Sequence, residues 1–466
     1  MSDQPNILLL MTDQQRGDAL GIEGHPVLQT PHLDWIGASG VWFRRAYSAC
    51  PVCIPARRTL MSGQRPSNHG VLMNHGCPLE GPTLPGELAA AGYHTHLCGK
   101  LHLSPRRALY GFHSADWADS PAARGDNDYQ RFLRREGVRI PRGSEAHGIG
   151  SNAWPVRPWH LPEEHHFSNW CVSSAIDFFE RRDPTRPFFL KVSFLHPHQP
   201  NTPPAPYYER YLSMDLPVPH VGEWARVFDG PQRGLYPHNT WRIDVDPQVM
   251  HQMRAAYYAS VNHIDDQIGR LLLALPADTI IVFCSDHGEM LGDHQWLRKR
   301  NAFEASARIP MLMKFPDSMG IQQERAADIP IEIMDLMPTF LDAAGAAIPD
   351  TVDGSSVLPW LRGESDNWRE YLHGECASVP SLDSGMQYVT DGRQKYIWYP
   401  GTGNEHYFDL VNDPMEMTNL AEDPARQEEI SGWRSRLTSE LEGRQEGFVN
   451  GGVLCPVGGE SPACIL

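Results

Sequence analysis

The chain has 466 residues, of which 41% are hydrophobic and 21% charged, and its formal net charge is −17. These proportions are ordinary for a globular protein, and with a negative mean hydropathy and no long apolar run they exclude a membrane-spanning one. The acidic balance excludes nucleic acid and anionic membrane surfaces as partners, because both need a basic footprint.

The length accommodates two to three domains, or one large α/β domain with an appendage. Nine cysteines, an odd number at irregular spacing from Cys50 to Cys464, do not form a disulfide framework, which fits retained thiols in a reducing cytoplasm. Residues 1–6 are polar and run into the apolar 7–11, a stretch too short and too poorly flanked for a signal peptide. It predicts a buried strand instead.

That strand ends in Thr12-Asp13-Gln14-Gln15, and ligand groups of α/β sheets sit at the carboxyl ends of strands. A helix cap or Asx-turn is the plainer use of Asp13. A helix starts at Thr30-Pro31, and 41–47 alternates as a strand. It leads into Cys50-Pro51-Val52-Cys53-Ile54-Pro55-Ala56-Arg57. If Pro55 helps open a helix, Cys53 stands at its N-terminus, where free N–H groups and the macrodipole favour negative charge, and Arg57 one turn on reaches back to it. Cys50 and Cys53 also form a Cys-x-x-Cys, which is compatible with a redox pair, half a zinc site or plain buried thiols.

Asn74 and His75 follow in a loop. The stretch 84–92 reads as a helix stopped by Gly92, and 93–98 as a strand delivering Gly99-Lys100-Leu101-His102. A continuing strand would aim Lys100 and His102 the same way; a solvated Lys and a structural His are the alternative. Residues 103–167 read as a loop insertion in which His160, His165 and His166 are exposed. A helix over 169–181 and a strand over 187–195 end in His196-Pro197-His198-Gln199-Pro200. Loops over 199–245 precede a long helix, 247–276, and then 279–284, apolar throughout as a central parallel strand should be. It terminates in Ser285-Asp286-His287-Gly288-Glu289. Lys299, between Arg298 and Arg300, precedes Phe303-Glu304 and Arg308-Ile309-Pro310, then a strand over 311–315 and a helix over 331–344. Short strands at 370–375, 387–390, 395–399 and 407–410 and a helix over 427–441 follow. The tail past 447 reads as an extended arm.

Taken together, Cys53-x-Pro55-x-Arg57 with Thr59 to Gly63, Gly99-Lys100-x-His102, Pro197-His198-x-Pro200, Ser285-Asp286-His287-Gly288 and Lys299 with Arg308-x-Pro310 resemble the type I sulfatases of the alkaline phosphatase superfamily. The resemblance implies an α/β fold: a large, mostly parallel mixed sheet flanked by helices over 1–370, an antiparallel sheet with a helix over 371–446, and a tail over 447–466. It implies that a formylglycine-generating enzyme converts Cys53 to formylglycine, whose hydrate attacks a sulfate ester and forms a covalent sulfo-enzyme intermediate. Asp13, Gln14, Asp286, His287 and an oxygen of residue 53 would hold one divalent metal. An oxygen-dominated set suits Ca²⁺, and the imidazole leaves room for Mn²⁺ or Mg²⁺.

In the same reading, Asp286 assists proton removal, Arg57 holds the hydrate, and Lys100, His198 and Lys299 neutralise sulfate oxygens. His198 or Lys299 protonates the leaving alcohol, His102 deprotonates the second hydroxyl, and Asn74 donates to a sulfate oxygen. The chain departs from the commoner pattern at Ala56, where most members have Ser, at Gln14, usually Asp in arylsulfatases, and at His287, often Asn. His287 is the residue of choline sulfatases and phosphonate monoester hydrolases. Aryl sulfates are the expected substrates, with Trp117, Trp154, Trp159, Tyr207 and Tyr208 offering aromatic faces. A phosphonate or phosphate ester hydrolase using the same parts is the alternative, and a non-catalytic anion-binding relative would retain the thiol. Homo-oligomerisation is left open.

Overall fold

The computed structural model describes residues 4–120, 127–138, 149–232, 237, 239–377, 385–457 and 463–465. Its strands in the first part of the chain are β1 (Asn6–Asp13), β2 (Val41–Phe43), β3 (Ala46–Tyr47), β4 (His94–Gly99), β5 (Ser114–Trp117), β6 (Phe188–Pro197), β7 (Thr279–Ser285), β8 (Met311–Lys314), β9 (Arg325–Ala327) and β10 (Ile331–Glu332). Eight of them form one sheet in the order β5-β4-β6-β1-β7-β8-β2-β9. Only β8 runs against the rest. The strands β1, β6 and β7 are buried nearly end to end, which is why their sequences are mostly apolar rather than alternating, with Lys191 and Ser193 the polar exceptions inside β6.

Side chains of β1 alternate between two cores. Ile7, Leu9 and Met11 meet helices α2 (Cys53–Ser62), α3 (Leu84–Ala90) and α6 (Leu336–Ala343). Leu8 and Leu10 meet α1 (Pro31–Ala38), α4 (Phe167–Arg181) and α5 (Pro247–Leu272) on the other face. The result is a three-layer α/β sandwich with a single mixed sheet in the middle.

The smaller sheet is antiparallel, β11 (Leu372–Cys376), β12 (Met386–Thr390), β13 (Gln394–Trp398) and β14 (Glu405–Asp409) in that order. One face packs on α7 (Gln427–Leu441) through Val389, Trp398 and Tyr407 against Ile430, Trp433 and Leu437. The other face backs the Cys53 segment: Tyr388 and Phe408 share a core with Tyr47, Cys50 and Val52. The Tyr388 hydroxyl donates to the Ser48 carbonyl (3.0 Å), and the Glu375 N–H to the Ala49 carbonyl (2.7 Å). The small sheet therefore braces the approach to the site.

Expected and observed elements coincide closely where periodicity is strong; α7 matches its expected limits. Three differences have physical causes. The expected strand 41–47 is broken by a turn at Arg44 and Arg45, so β2 joins the main sheet while β3 pairs with β10. The expected helix 331–344 begins as β10 and a 3₁₀ turn, and only its second half is α6, because Glu332 and Asp335 cap each other's backbone. The region 103–167 was expected to be loop but contains β5 and a helix, Asp128–Arg135, capped by Asn127 onto Gln130 (2.8 Å). A further helix, Ala205–Leu212, lies in the other loop region.

The tail, expected to be an extended arm, instead turns back at 449–454 as a short antiparallel hairpin, and near its end Leu72 donates to the Ala463 carbonyl (2.9 Å) and Ile465 to that of Gly70 (2.8 Å). All nine cysteines are free thiols. Among the described residues, no helix is long and apolar enough to cross a membrane.

Candidate active site

Four adjacent parallel strands, β4, β6, β1 and β7, end at one edge of the sheet and deliver Lys100, His198, Asp13 with Gln14, and Asp286 with His287. Strand ends converge because register is tight: Met11 lies beside Ser193, Gly99 beside Ser193, and Thr12 beside Ser285. Gly99 leaves β4 at φ +99°, and a Cβ there would lie 2.1 Å from the Ser193 carbonyl oxygen, so only glycine lets the chain turn Lys100 inward.

Residue 53 faces this edge from α2, which starts at Cys53 after an extended Val52 that supplies no side-chain cap. Asn74 takes that role, its Oδ1 accepting the Ile54 N–H at 3.0 Å. Cys53 Sγ lies 3.1 Å from Lys299 Nζ, 3.2 Å from His287 Nε2 and 3.8 Å from Asp13 Oδ1. Burial alone would push this thiol up, but Lys299, Lys100 and His287 outweigh it and hold it well below the usual range. Cys50 turns away toward the Leu72 carbonyl (3.5 Å), so the Cys-x-x-Cys is no redox pair or shared metal site in this arrangement.

Arg57 is fully buried and ties the floor together. Its Nε donates to Asp286 Oδ2 (2.9 Å), Nη2 to Asp13 Oδ2 (3.0 Å), and Nη1 to Ser193 Oγ (2.9 Å) and the Lys100 carbonyl (3.2 Å). Lys100 Nζ lies 2.6 Å from Asp13 Oδ2. Desolvation would raise Asp13, yet Lys100, His198 and Arg57 hold its carboxyl below the usual range; burial and the charge of Asp13 push Asp286 up. The ligand atoms of Asp13, residue 53, Asp286 and His287 all lie within 4.8 Å of one another. His287 Nδ1 bonds the Gly288 carbonyl (3.0 Å), which leaves Nε2 for the cluster. Two carboxylates and an imidazole converging without water access fit a divalent cation, whose charge would relieve the Asp13–Asp286 repulsion.

Gln14, at φ 72°, follows Asp13 directly and donates its N–H to Asp286 Oδ1 (3.1 Å). Its Oε1 accepts from Lys299 Nζ (2.6 Å), and its Nε2 donates to Gln199 Oε1 (2.5 Å) and to Glu289 Oε2. His198 bonds the Gln199 carbonyl through Nδ1 (2.6 Å) and, like His102, reaches residue 53 with its ring. His102 is set at φ 59° by Asp119, whose Oδ1 accepts the N–H groups of Leu101 (3.1 Å) and His102 (2.7 Å) and the Trp117 indole (3.0 Å). The ten other residues that the resemblance assigned to the site thus gather around residue 53, with Asn74 as a helix cap at the rim.

A 320 Å³ cavity opens onto Cys53. Its lining includes Lys100, His102, His198 and Lys299, and also Trp241, Arg106, Arg298, Arg300 and Asp119, which sequence reasoning did not single out. None of the five aromatic residues expected to meet the substrate lines it. Trp117 and Trp159 are buried, Trp154 bonds the Pro237 carbonyl, and Tyr207 bonds Asp266; these are packing residues. His166, expected to be exposed, is buried, accepts the Ser168 N–H to cap α4 and packs on His196 and His263. Glu289, which gathers Gln14, Gln199 and the N–H groups of Leu291 and Arg298, was also missed. Its place right after Ser285-Asp286-His287-Gly288 was the one available signal.

The family model described as Sulfatase matches residues 5–346, and one described as N-sulphoglucosamine sulphohydrolase, C-terminal, matches 292–444. The chain is 38% identical over 473 residues to an arylsulfatase of Clostridium perfringens, with 97% of each chain covered. It is 30% identical to a choline-sulfatase of Rhizobium meliloti, over 90% of this chain and 83% of that one. The phosphonate monoester hydrolase of Agrobacterium radiobacter superposes with a TM-score of 0.78 at 26% identity, covering 94% of this chain and 95% of that one.

Proposed function

The chain belongs to the sulfatase family, and on that premise we propose that it hydrolyses sulfate monoesters, aryl sulfates foremost, with residue 53 as the nucleophile. The observation carrying this reading is the position of residue 53: first residue of a helix, 3.1 Å from Lys299, within reach of Lys100, His102 and His198, at the base of the cavity. A thiol there has no second leaving oxygen, so Cys53 acts after conversion to formylglycine by a formylglycine-generating enzyme. One hydroxyl of the hydrate forms the covalent sulfate ester, and the other expels it.

Each neighbour has a role its geometry supports. Arg57 fixes Asp13 and Asp286 and, through them, the orientation of residue 53. Asp286 assists proton removal from the attacking hydroxyl. Lys100, Lys299 and His198 offset charge on the sulfate oxygens, and His198 or Lys299 protonates the departing alcohol. His102, anchored by Asp119, takes the proton of the second hydroxyl. Asn74 keeps its amide N–H₂ for a sulfate oxygen while its Oδ1 caps α2. Asp13, Gln14, residue 53, Asp286 and His287 would hold a divalent cation, Ca²⁺ before Mn²⁺ or Mg²⁺, the four other than Gln14 having their ligand atoms within 4.8 Å of one another. When bound, that cation supplies positive charge where negative charge accumulates.

The test is the mass of the tryptic peptide containing residue 53 together with turnover of Cys53→Ala. We expect a residue lighter than cysteine and no turnover in the variant; an alkylatable thiol in active enzyme would rule the nucleophile out. Phosphonate ester hydrolysis through the same residues is the second reading, favoured by His287, Gln14 and the likeness to the Agrobacterium radiobacter enzyme. Matched nitrophenyl sulfate, phenylphosphonate and phosphate separate the two: kcat/KM is expected to be highest for the sulfate.

A further inference from the structure

The cavity carries more positive charge than one sulfate needs. Arg298 and Arg300 flank Lys299, and all three line it. Both arginines adopt left-handed backbone conformations, φ 67° and 79°, which residues with a Cβ rarely hold and which recur at functional sites. With this backbone Lys299 reaches residue 53 at 3.1 Å, while the two guanidinium groups lie over Trp241, their Cζ atoms 3.9 Å and 4.5 Å from its ring centroid.

Neither guanidinium is neutralised among the described residues. Arg298 Nη2 donates to the Thr240 carbonyl (2.7 Å). Glu289, the carboxylate within its electrostatic reach, already accepts from Gln14, Gln199 and the N–H groups of Leu291 and Arg298. Arg300 Nε is buried without an acceptor, and the negative groups influencing Arg300 are thiols rather than carboxylates. Asp119, the carboxylate in the lining, has three N–H groups on one oxygen. A guanidinium stays charged at any working pH, so partial burial without a counter-ion is costly and leaves the pair complementary to an oxyanion.

We propose that Arg298 and Arg300, held on Trp241, form a subsite for a second oxyanion, a carboxylate or sulfate carried by the alcohol half of the ester. The inference rests on the ester-hydrolase reading above and narrows it to dianionic substrates, drawn by this local charge into a protein whose net charge is −17.

The experiment compares kcat/KM of the metal-replete enzyme for 4-sulfooxybenzoate, 4-sulfooxybenzenesulfonate and the uncharged methyl ester of the first. The wild type is expected to favour the two charged substrates, and their ratio tells a carboxylate from a sulfonate, the stand-in for a second sulfate, as the group preferred. Arg300→Gln should lose about tenfold or more on them and under about twofold on the methyl ester, the effect of one lost charge-assisted hydrogen bond. Arg300→Lys should recover part of the loss, and Arg298→Gln should repeat the pattern. No preference in the wild type overturns the proposal, as does an equal loss on all three substrates in Arg300→Gln, which would place Arg300 on the scissile sulfate. If sulfates are not hydrolysed but matched phenylphosphonates show the same charge preference, lost in Arg300→Gln, the subsite stands and the sulfate reading falls.

Discussion

Arg57 has no exposed surface and divides its guanidinium between Asp286, Asp13, Ser193 and the Lys100 carbonyl, so the site's geometry is set by a charge network and not by packing alone. Within that network the two metal-side residues differ in kind. Asp286 carries a charge, receives Arg57 and the Gln14 N–H, and belongs to the four-ligand cluster. Gln14 offers a neutral amide already bonded to Lys299, Gln199 and Glu289. Chelation should therefore abolish activity, with return on adding a divalent cation. Gln14→Ala should cost about 10–100-fold in kcat, as loss of a supporting partner does, and Asp286→Asn more than that. Steady-state kinetics with metal analysis checks the order, and a greater loss for Gln14→Ala would reverse the assignment.

The strands that aim these residues also contain an anomaly. Lys191 lies in the middle of β6, paired in register with Leu9 and Leu97, fully buried, and its Nζ has no hydrogen-bond partner among the described residues. Burial and the nearby Arg57 pull its pKa from 10.5 down to about 7. The unfolded chain binds this proton up to about 10.5 while the folded chain releases it near 7, so the penalty is full below 7 and fades as pH rises. Lys191→Met should therefore stabilise the protein by ~1–3 kcal/mol near neutral pH, with the gain shrinking toward pH 10.5. Urea midpoints at two pH values test this; a destabilised variant would mean that the amine has a partner in solution.

Acid should be the weak flank of the molecule as a whole. Burial holds His69 and His196 down to about 3 and His25, His294 and His406 down to about 4, and it lowers His166 as well. These six bind protons in the unfolded chain below about 6.5 but not in the folded one, so their contribution is present above that pH and lost below it. Asp265 and Glu332, raised by burial to about 8, and Glu416, raised to about 7, act in the opposite sense, since the folded state keeps their protons. His94 and His198 are lowered in the same way and Asp34, Asp244 and Asp286 are raised, while Asp18, Asp293 and Glu405, held low by neighbouring arginines, add to the loss as the unfolded chain protonates them toward pH 4. The thermal midpoint should fall steadily between about pH 7 and about pH 4, at up to ~1.4 kcal/mol per pH unit for each uncompensated histidine. A flat midpoint across that range would show that the histidines are hydrated in solution.

The sequence by itself determined the order of buried strands and the polar residues at their ends, because continuous apolar runs and the groups that stop them are local properties of the chain. Cys53, Arg57, Lys100, His102, His198 and Asp286 were legible for that reason, each lying at or near the end of a strand or the start of a helix, whereas Lys299, in a loop, was legible only through the family's spacing to Phe303-Glu304 and Arg308-x-Pro310. What surrounds them depends on contacts between parts of the chain far apart in sequence, Gln14 with Glu289 and Lys299 with Cys53, and on the return of Asp119 past β5 to His102. Loops have no period from which their return path can be read, so the tertiary structure alone placed Trp241, Arg298 and Arg300 at the cavity. It also put Trp117, Trp154, Trp159, Tyr207 and Tyr208 outside the lining of that cavity, packed against other parts of the protein. An aromatic ring in a loop buries equally well against substrate or against its own protein, and only the fold decides which.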